Sequence, residues 1–540
     1  MRSTSEAGVV VAQLFQAARL RNQRPTAQSR CFSCFAVSAL PLRKQHCRPA
    51  VAAGSIRAVR PSSLRSFHAF SRSAAARSSS LTVLGEHYTS DDYTNLPPSI
   101  RERLSSSPQL PYSASHPLAL LRKEIEGHLC HHTAISASSP VVTSALNFDT
   151  LGFPLDHPGR SPTDTYYINR NICLRTHTSA HEVEVFSQGH DHWLLTADVY
   201  RRDEIDASHY PIFHQMEGAS VWQQDDFLPG GRVEKECQDM EAHLRDAKIE
   251  IEDEVDITEA GGWQAGHATS QERLVAAQLS ARHLKATLNG LVLRLFGPRH
   301  AADAAAAALA GGASTDQAAD RAAHAEPLKV RWIAASFPFT SPSFEVEVWF
   351  RGKWLEILGS GVVMEKTLKD SGVSHKTGWA FGLGLERIAM VLYSIPDIRL
   401  FWSKDPRFLN QFAMDGSKSR GSTASESVPP SETGVSAAGG LVTFKPYSKY
   451  PPVLKDVSFW LASHEPHDND VYEIVRDVAK DLVESVELTD RFEHPKTKRK
   501  SYCYRITYRS MDRSLEHEEI NALHKAIGER LAEDMGVELR

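Results

Sequence analysis

Nowhere does this chain of 540 residues carry eighteen consecutive apolar residues, so no segment reads as a membrane-spanning helix. Cysteine is scarce and scattered, at Cys31, Cys34, Cys47, Cys130, Cys173, Cys237 and Cys503. Cys31 and Cys34 form one C-x-x-C, but no second pair follows at zinc spacing, and free thiols in a reducing compartment are the simpler reading. Acid is almost missing from residues 1–85, where Glu6 alone faces twelve arginines and one lysine. That stretch is rich in Ser and Ala, the composition of an organellar transit peptide; a basic disordered arm for nucleic acid is the alternative. The net charge of −5 thus divides into +12 up to residue 85 and −17 after it. Nucleic-acid contacts of the mature chain must come from local basic patches.

What is present points to at least two domains, since the length exceeds one ordinary core. An apolar fraction of 41% fits a soluble globular protein. Residues 86–414 form the first domain, with a helix expected over His116 to Leu129. From Phe148 onward the pattern is rich in strands, and runs such as SFEVEVWF alternate apolar and polar residues. A helical insertion at about 265–297 carries Leu284, Leu288, Leu291 and Leu295 at helical spacing, and Gly297-Pro298 is expected to end it. Residues 301–325, with fourteen alanines, read as a surface insertion, and the acidic run from Glu250 to Glu259 as a solvated face. Residues 415–442, rich in Ser, Gly, Thr and Pro, read as a flexible linker.

The tail, 443–540, reads as βαββαβ. Val457, Phe459 and Leu461 alternate as a strand, and Val471, Ile474, Val475, Val478 and Leu482 stripe a helix. Val486 and Leu488 mark a second strand, and Tyr502, Tyr504, Ile506 and Tyr508 a third. Ile520, Leu523, Ile527 and Leu531 stripe a second helix, with Ser514 as its expected N-cap and Gly536 as its stop; Val537 to Arg540 close as a last strand. This is the ferredoxin-like order, so the fold class is α+β.

Two arginines lie in different frames. Arg201 ends a strand-like run in DVYRRD, and Arg387 sits in GWAFGLGLER, where a Gly-rich turn opens a helix. A guanidinium is a planar fork that keeps its charge, so two of them can grip a triphosphate at two points. Between and before them lie LRTHTSAH, FHQMEG and FPFT. Each motif taken singly is a polar turn, a charged strand end or a pair of core aromatics. LRTHTSAH, DVYRRD, FPFT and GLGLER in this order in one domain argue for a site.

The chain resembles the organellar, single-chain phenylalanyl-tRNA synthetases, which are class II aminoacyl-tRNA synthetases. The resemblance rests on HPGRSPTDTYYIN, LRTHTSAHEVEV, DVYRRDEIDASHYPIFHQMEG, FPFTSPSFEVEV, WLEILGSGVV, GWAFGLGLERIAM and KPYSKYPPVLKDVSFW. It implies an antiparallel catalytic sheet flanked by helices, and a tail that is a ferredoxin-fold anticodon-binding domain. DVYRRD takes the place of motif 2, which implies that Arg201 holds the α-phosphate of ATP and the substrate carboxylate. Asp203 stands where the family usually has Glu, a shorter acid on the adenine side. GLGLER takes the place of motif 3, which implies Arg387 at the γ-phosphate. His177 and Ser179 match positions near the amino acid and the adenylate. Gln215 and Glu217 match the pair that engages the α-ammonium. Phe337 and Phe339 match the rings that flank the substrate phenyl group, and Ala380 a small residue at the pocket floor. Glu356 is the acid expected to meet Mg2+ or phosphate. Motif 1 is not recognisable, which fits the family's monomeric branch.

The implied reaction charges organellar tRNA(Phe) with L-phenylalanine through a phenylalanyl-adenylate, using ATP and Mg2+ and no membrane. No unmatched stretch has the length of an editing module. In the tail, Lys496, Lys498, Arg499 and Lys500 form a basic cluster expected to meet tRNA, although the tail as a whole carries sixteen bases against nineteen acids. A catalytically dead relative that only binds tRNA is the second reading, and retention of both arginines and the ammonium pair counts against it. An adenylate-forming ligase for another acid explains neither the tail nor the paired phenylalanines.

Overall fold

In chain order the strands of the first domain are β1 (Ser80–Val83), β2 (Glu86–Thr89), β3 (Thr133–Ser136), β4 (Val141–Thr143), β5 (Tyr167–Asn169), β6 (Ile172–Leu174), β7 (His192–Tyr200), β8 (Ile212–Gln223), β9 (Ile249–Asp253), β10 (Leu328–Phe337), β11 (Thr340–Phe350), β12 (Lys353–Val363) and β13 (Lys376–Gly384). The tail adds β14 (Val453–Trp460), β15 (Val483–Glu493), β16 (Lys500–Tyr508) and β17 (Glu538–Leu539). The main helices are α1 (Pro98–Ser106), α2 (Pro117–His128), α3 (Arg232–Arg245), α4 (Gln271–Ala310), α5 (Thr315–Ala323), α6 (Leu385–Tyr393), α7 (Asp468–Ala479) and α8 (His517–Met535). This computed structural model describes residues 80–106, 109–137, 139–253, 271–413, 442–446, 450–462 and 465–540, and all of these belong to one compact unit. Most of the expected transit peptide and linker, and the later part of the acidic run, lie outside the described residues. The hairpin of β1 and β2 straddles the expected boundary at residue 85.

The catalytic sheet has eight strands in the order β3-β7-β8-β13-β12-β11-β10-β9. Its six inner strands pair antiparallel, and β3 and β9 join the two edges in parallel. The alternation in SFEVEVWF is realised: Phe344, Val346, Val348 and Phe350 are buried while Glu345, Glu347 and Trp349 face outward. The long helix α4 packs against β10, β12 and β13 and buries Leu284, Leu288, Leu291 and Leu295.

Two expectations fail here. Gly297-Pro298 does not end the helix, because α4 runs on through Pro298 to Ala310. A proline inside a helix forfeits one backbone bond and costs about 3 kcal/mol. Beyond it, Arg299 and Ala305 are buried, and Arg299 Nη1 donates to Thr443 Oγ1 at 2.7 Å, so packing anchors the far side. The alanine-rich stretch, the best of helix formers, then forms the end of α4 and the short α5. In the tail, α8 is capped at Glu516 without a side-chain bond, not at Ser514; its stop at Gly536, φ 64°, is as expected.

The tail sheet has the order β15-β16-β14-β17 with α7 and α8 on one face, the βαββαβ arrangement. Tyr502, Tyr504, Ile506 and Tyr508 are all buried, so these tyrosines serve the core and not a nucleic-acid surface.

Candidate active site

Strand pairing places the polar residues. Tyr200 of β7 stands opposite Ile212 of β8, and Arg201 N donates to Pro211 O at 3.0 Å, which closes the neck of the loop 201–211. Gln215 and Glu217 are two apart on β8 and therefore share a face. Opposite them on β13 lie Gly384 and Gly382. A Cβ built at either glycine meets nothing within 4 Å, so the strand leaves open space beside the two side chains.

That space is a cleft of about 790 Å³. It is lined by His177, Ser179, Arg201, Asp203, Gln215, Glu217, Phe337, Phe339, Glu356, Ala380 and Arg387, every residue expected in the catalytic domain. Residues separated by two hundred positions converge because β8, β12 and β13 are neighbours in one sheet.

At the polar end, Ser179 Oγ donates to Glu217 Oε2 at 2.9 Å, and Thr178 N donates to Gln215 Oε1 at 3.2 Å. Glu217 is buried, and burial pushes its carboxyl up to about 7 despite the bonds from Thr178 and Ser179. A substrate ammonium would restore its charge. Behind it lies Glu182, also buried; both of its oxygens lack a hydrogen-bond partner among the described residues. Burial, with Glu217 beside it, holds the Glu182 carboxyl well above the ordinary range. Arg201 uses Nε on the carbonyl of Thr176 at 2.7 Å, and its guanidinium lies 5.2 Å from the Phe213 ring centroid. Among the described residues its two Nη groups make no hydrogen bond, which leaves the fork for a ligand.

The aromatic end is a stack. His177 lies parallel to Phe153 at 5.5 Å and 3°, and near Phe339 at 6.2 Å. Burial, then the charge of Arg201, lowers its pKa to about 3, so the ring is neutral. Phe337 and Phe339 stack on each other with centroids 5.9 Å apart and planes within 10°. A third ring between them would need about 7 Å, twice a carbon–carbon contact. The pair is therefore one wall of the cleft, not two opposed walls. Gly359 permits it: a Cβ there would fall 2.9 Å from the Phe337 ring. Ala380, buried in β13, lies across from Ala219 and Gly361 at the floor.

At the outer end Arg387 Nη1 reaches Glu356 Oε2 at 3.3 Å, with both side chains at least half exposed. Such a pair is worth about 0–1 kcal/mol, so phosphate oxygens compete for Arg387 without a large penalty. Glu345, unmarked in the sequence, lines the same cleft, and burial followed by the charges of Glu356 and Glu347 raises its pKa. Two like-charged carboxylates at the phosphate end fit a hard divalent cation. Glu386, beside Arg387, is not the exposed partner that its neighbour suggests. It is buried and accepts from His214 N at 2.8 Å and meets His214 Nδ1 at 2.7 Å, tying the start of α6 to β8. No spacing rule separates a buried acid of this kind from a solvated one.

The basic cluster of the tail lies elsewhere. Lys496, Lys498, Arg499 and Lys500 are exposed in and beside the turn between β15 and β16, and none lines the cleft. Lys498 pairs with Glu493 at 3.0 Å, Arg499 with Glu538 at 2.5 Å and Lys500 with Glu465 at 3.3 Å.

Residues 104–229 and 314–412 match the family described as tRNA synthetases class II core domain (F), and residues 448–540 match the ferredoxin-fold anticodon binding domain. The interval between the two core segments holds α3, β9 and α4. The chain is 39% identical over 475 residues to the mitochondrial phenylalanine--tRNA ligase of Mus musculus, covering 86% of this chain and 90% of the mouse protein. It is 40% identical to the mitochondrial enzyme of Saccharomyces cerevisiae, over 84% of this chain and 94% of the yeast protein. To the chloroplastic/mitochondrial enzyme of Arabidopsis thaliana it is 37% identical, over 83% of each.

Proposed function

This chain belongs to the phenylalanine--tRNA ligase family of class II tRNA synthetases, and from that membership we propose that it charges mitochondrial tRNA(Phe) with L-phenylalanine as a single-chain, monomeric enzyme. The observation that carries the reading is the one cleft that unites Arg201 and Arg387 with the Glu217 carboxylate and the Phe337–Phe339 wall. Two cationic forks suit a triphosphate, a buried acid suits an ammonium, and a ring wall suits a benzyl side chain.

The chemistry follows from positioning. Phenylalanine enters with its ammonium against Glu217 and Gln215 and its ring against Phe337 and Phe339, over Ala380. Its carboxylate oxygen attacks the α-phosphorus of ATP; the bond to the bridging oxygen breaks and pyrophosphate leaves. Arg201 stabilises the charge that develops at the α-phosphate, and Arg387 holds the γ-phosphate end. His177, neutral, lies beside the adenylate, and Asp203 faces the nucleotide from the loop 201–211. Glu356 and Glu345 are the residues that would hold Mg2+, which when bound neutralises phosphate charge. A terminal ribose hydroxyl of tRNA, by family resemblance the 2′-OH, then attacks the acyl carbon and AMP departs. The exposed bases Lys496, Lys498, Arg499 and Lys500 serve tRNA phosphates. Mischarged tyrosyl-tRNA is expected to survive incubation with the enzyme.

The test is amino-acid-dependent pyrophosphate exchange over all twenty substrates, followed by charging of mitochondrial tRNA. Exchange that depends on phenylalanine is expected; equal exchange with another amino acid would overturn the assignment.

A further inference from the structure

The loop 201–211 carries Arg201 and Asp203, yet its backbone is held from the tail. Four successive carbonyls accept from tail donors. Asn469 Nδ2 donates to Arg202 O at 3.4 Å, Arg476 Nη2 to Asp203 O at 2.6 Å and to Glu204 O at 3.3 Å, and Val486 N to Ile205 O at 3.1 Å. Backbone acceptors at a domain contact need partners, and among the described residues these four take theirs from the tail. The side chain of Ile205 belongs to the hydrophobic core of the tail and is 7% exposed. Arg202 completes the contact through Asp470 at 3.2 Å and Glu473 at 3.5 Å. Asn469 also donates to Thr163 O at 3.1 Å and Asp164 Oδ1 at 3.3 Å, and it lines the cleft itself.

We propose that the tail domain completes the nucleotide end of the cleft: α7 and the outer edge of β15 hold the loop 201–211 in its nucleotide-binding form, with Asn469 and Arg476 as positioning residues. Tail docking and ATP affinity are then two readings of one equilibrium, and each strengthens the other by the same factor. The ammonium and ring contacts of the amino-acid end lie outside this loop, on β8, β13 and the end of β10 with the turn that follows it. This rests on the assignment of Arg201 and Asp203 to ATP.

In the full chain, Asn469→Ala raises KM for ATP about tenfold in phenylalanine-dependent pyrophosphate exchange, the scale of losing side-chain hydrogen bonds to the loop and its neighbours. KM for phenylalanine and the melting temperature stay near wild type. Asn469→Asp, which sets a carboxylate against three oxygens, raises KM for ATP further. The reciprocal reading needs no variant: hydrogen exchange at the Val486 amide, the donor to Ile205 O, slows when the wild-type chain is saturated with ATP alone. An unchanged KM for ATP in Asn469→Ala, a joint rise of both KM values, or a Val486 amide indifferent to ATP each overturns the proposal. Absence of phenylalanine-dependent exchange in the wild type would instead overturn the assigned function, so the two failures are distinct.

Discussion

The cleft and the basic turn of the tail were both marked by charge in the sequence, and they differ in what surrounds the charge. In the cleft, Arg201 is partly buried with its Nη groups unengaged, and Glu217 is buried with its pKa pushed up to about 7. In the turn, three of the four bases already hold acid partners in open solvent. Desolvation makes a lone charge costly and hence informative; solvent makes a paired charge cheap and hence nearly silent. Substitutions in the cleft should therefore cost far more than those in the turn.

The largest effect belongs to Arg201→Ala, expected to lower the rate of pyrophosphate exchange by at least about 10²-fold, the scale of losing one preorganised donor. A near-normal rate would remove Arg201 from the reaction. Next is Glu217→Gln, expected to raise KM for phenylalanine about 10- to 100-fold, because a charged hydrogen bond is lost. It also carries a pH signature. In the free enzyme the carboxyl takes up its proton as pH falls through about 7, while the ammonium binds only the carboxylate, so kcat/KM for phenylalanine falls on the acid side of about 7 and levels off above it. In Glu217→Gln that limb should flatten; if it persists, another group titrates. The stability sign is opposite: a carboxyl raised by folding loses stability as pH rises from its ordinary range through about 7 and bears the full cost above that, so Glu217→Gln, relative to wild type, should be more stable at pH 8 than at pH 4 in thermal melts.

A smaller effect is expected at Gly359. Gly359→Ala drives a methyl against the Phe337 ring and should raise KM for phenylalanine about tenfold, with KM for ATP unchanged. Equal KM values would show that the ring wall does not hold the substrate. The smallest effect sharpens the other side of the contrast. Lys496→Glu together with Lys498→Glu should weaken tRNA charging only a few-fold, leave pyrophosphate exchange intact and reduce the salt slope of KM for tRNA by about one per lost phosphate contact. A slope that does not change would place the tRNA elsewhere on the tail.

Much of the architecture was legible. The βαββαβ tail followed from alternation at Tyr502 to Tyr508 and from the stripe at Val471 to Val475, because strand and helix periods are local properties. The motifs of the cleft were legible because each places its side chains by strand parity or by a turn. Other features were not. The extension of α4 through Pro298 depended on burial of Arg299 and Ala305. Glu386 and Glu182 look like solvated acids in the sequence, yet one is tied to His214 and the other is sealed behind Glu217. The stacking of Phe337 on Phe339 as a single wall depended on the space above Gly359.

The sequence alone determined which chemical groups are available and on which element each rides: two permanent cations, an acid for an ammonium, rings for a ring, and a tail of known strand order. Tertiary structure decided which groups keep their charge, which face one another and which find partners before a ligand arrives. Those outcomes depend on dielectric and distance between residues far apart in the chain, and the binding of the loop carbonyls at 202–205 by a domain that begins more than two hundred residues later is the plainest instance.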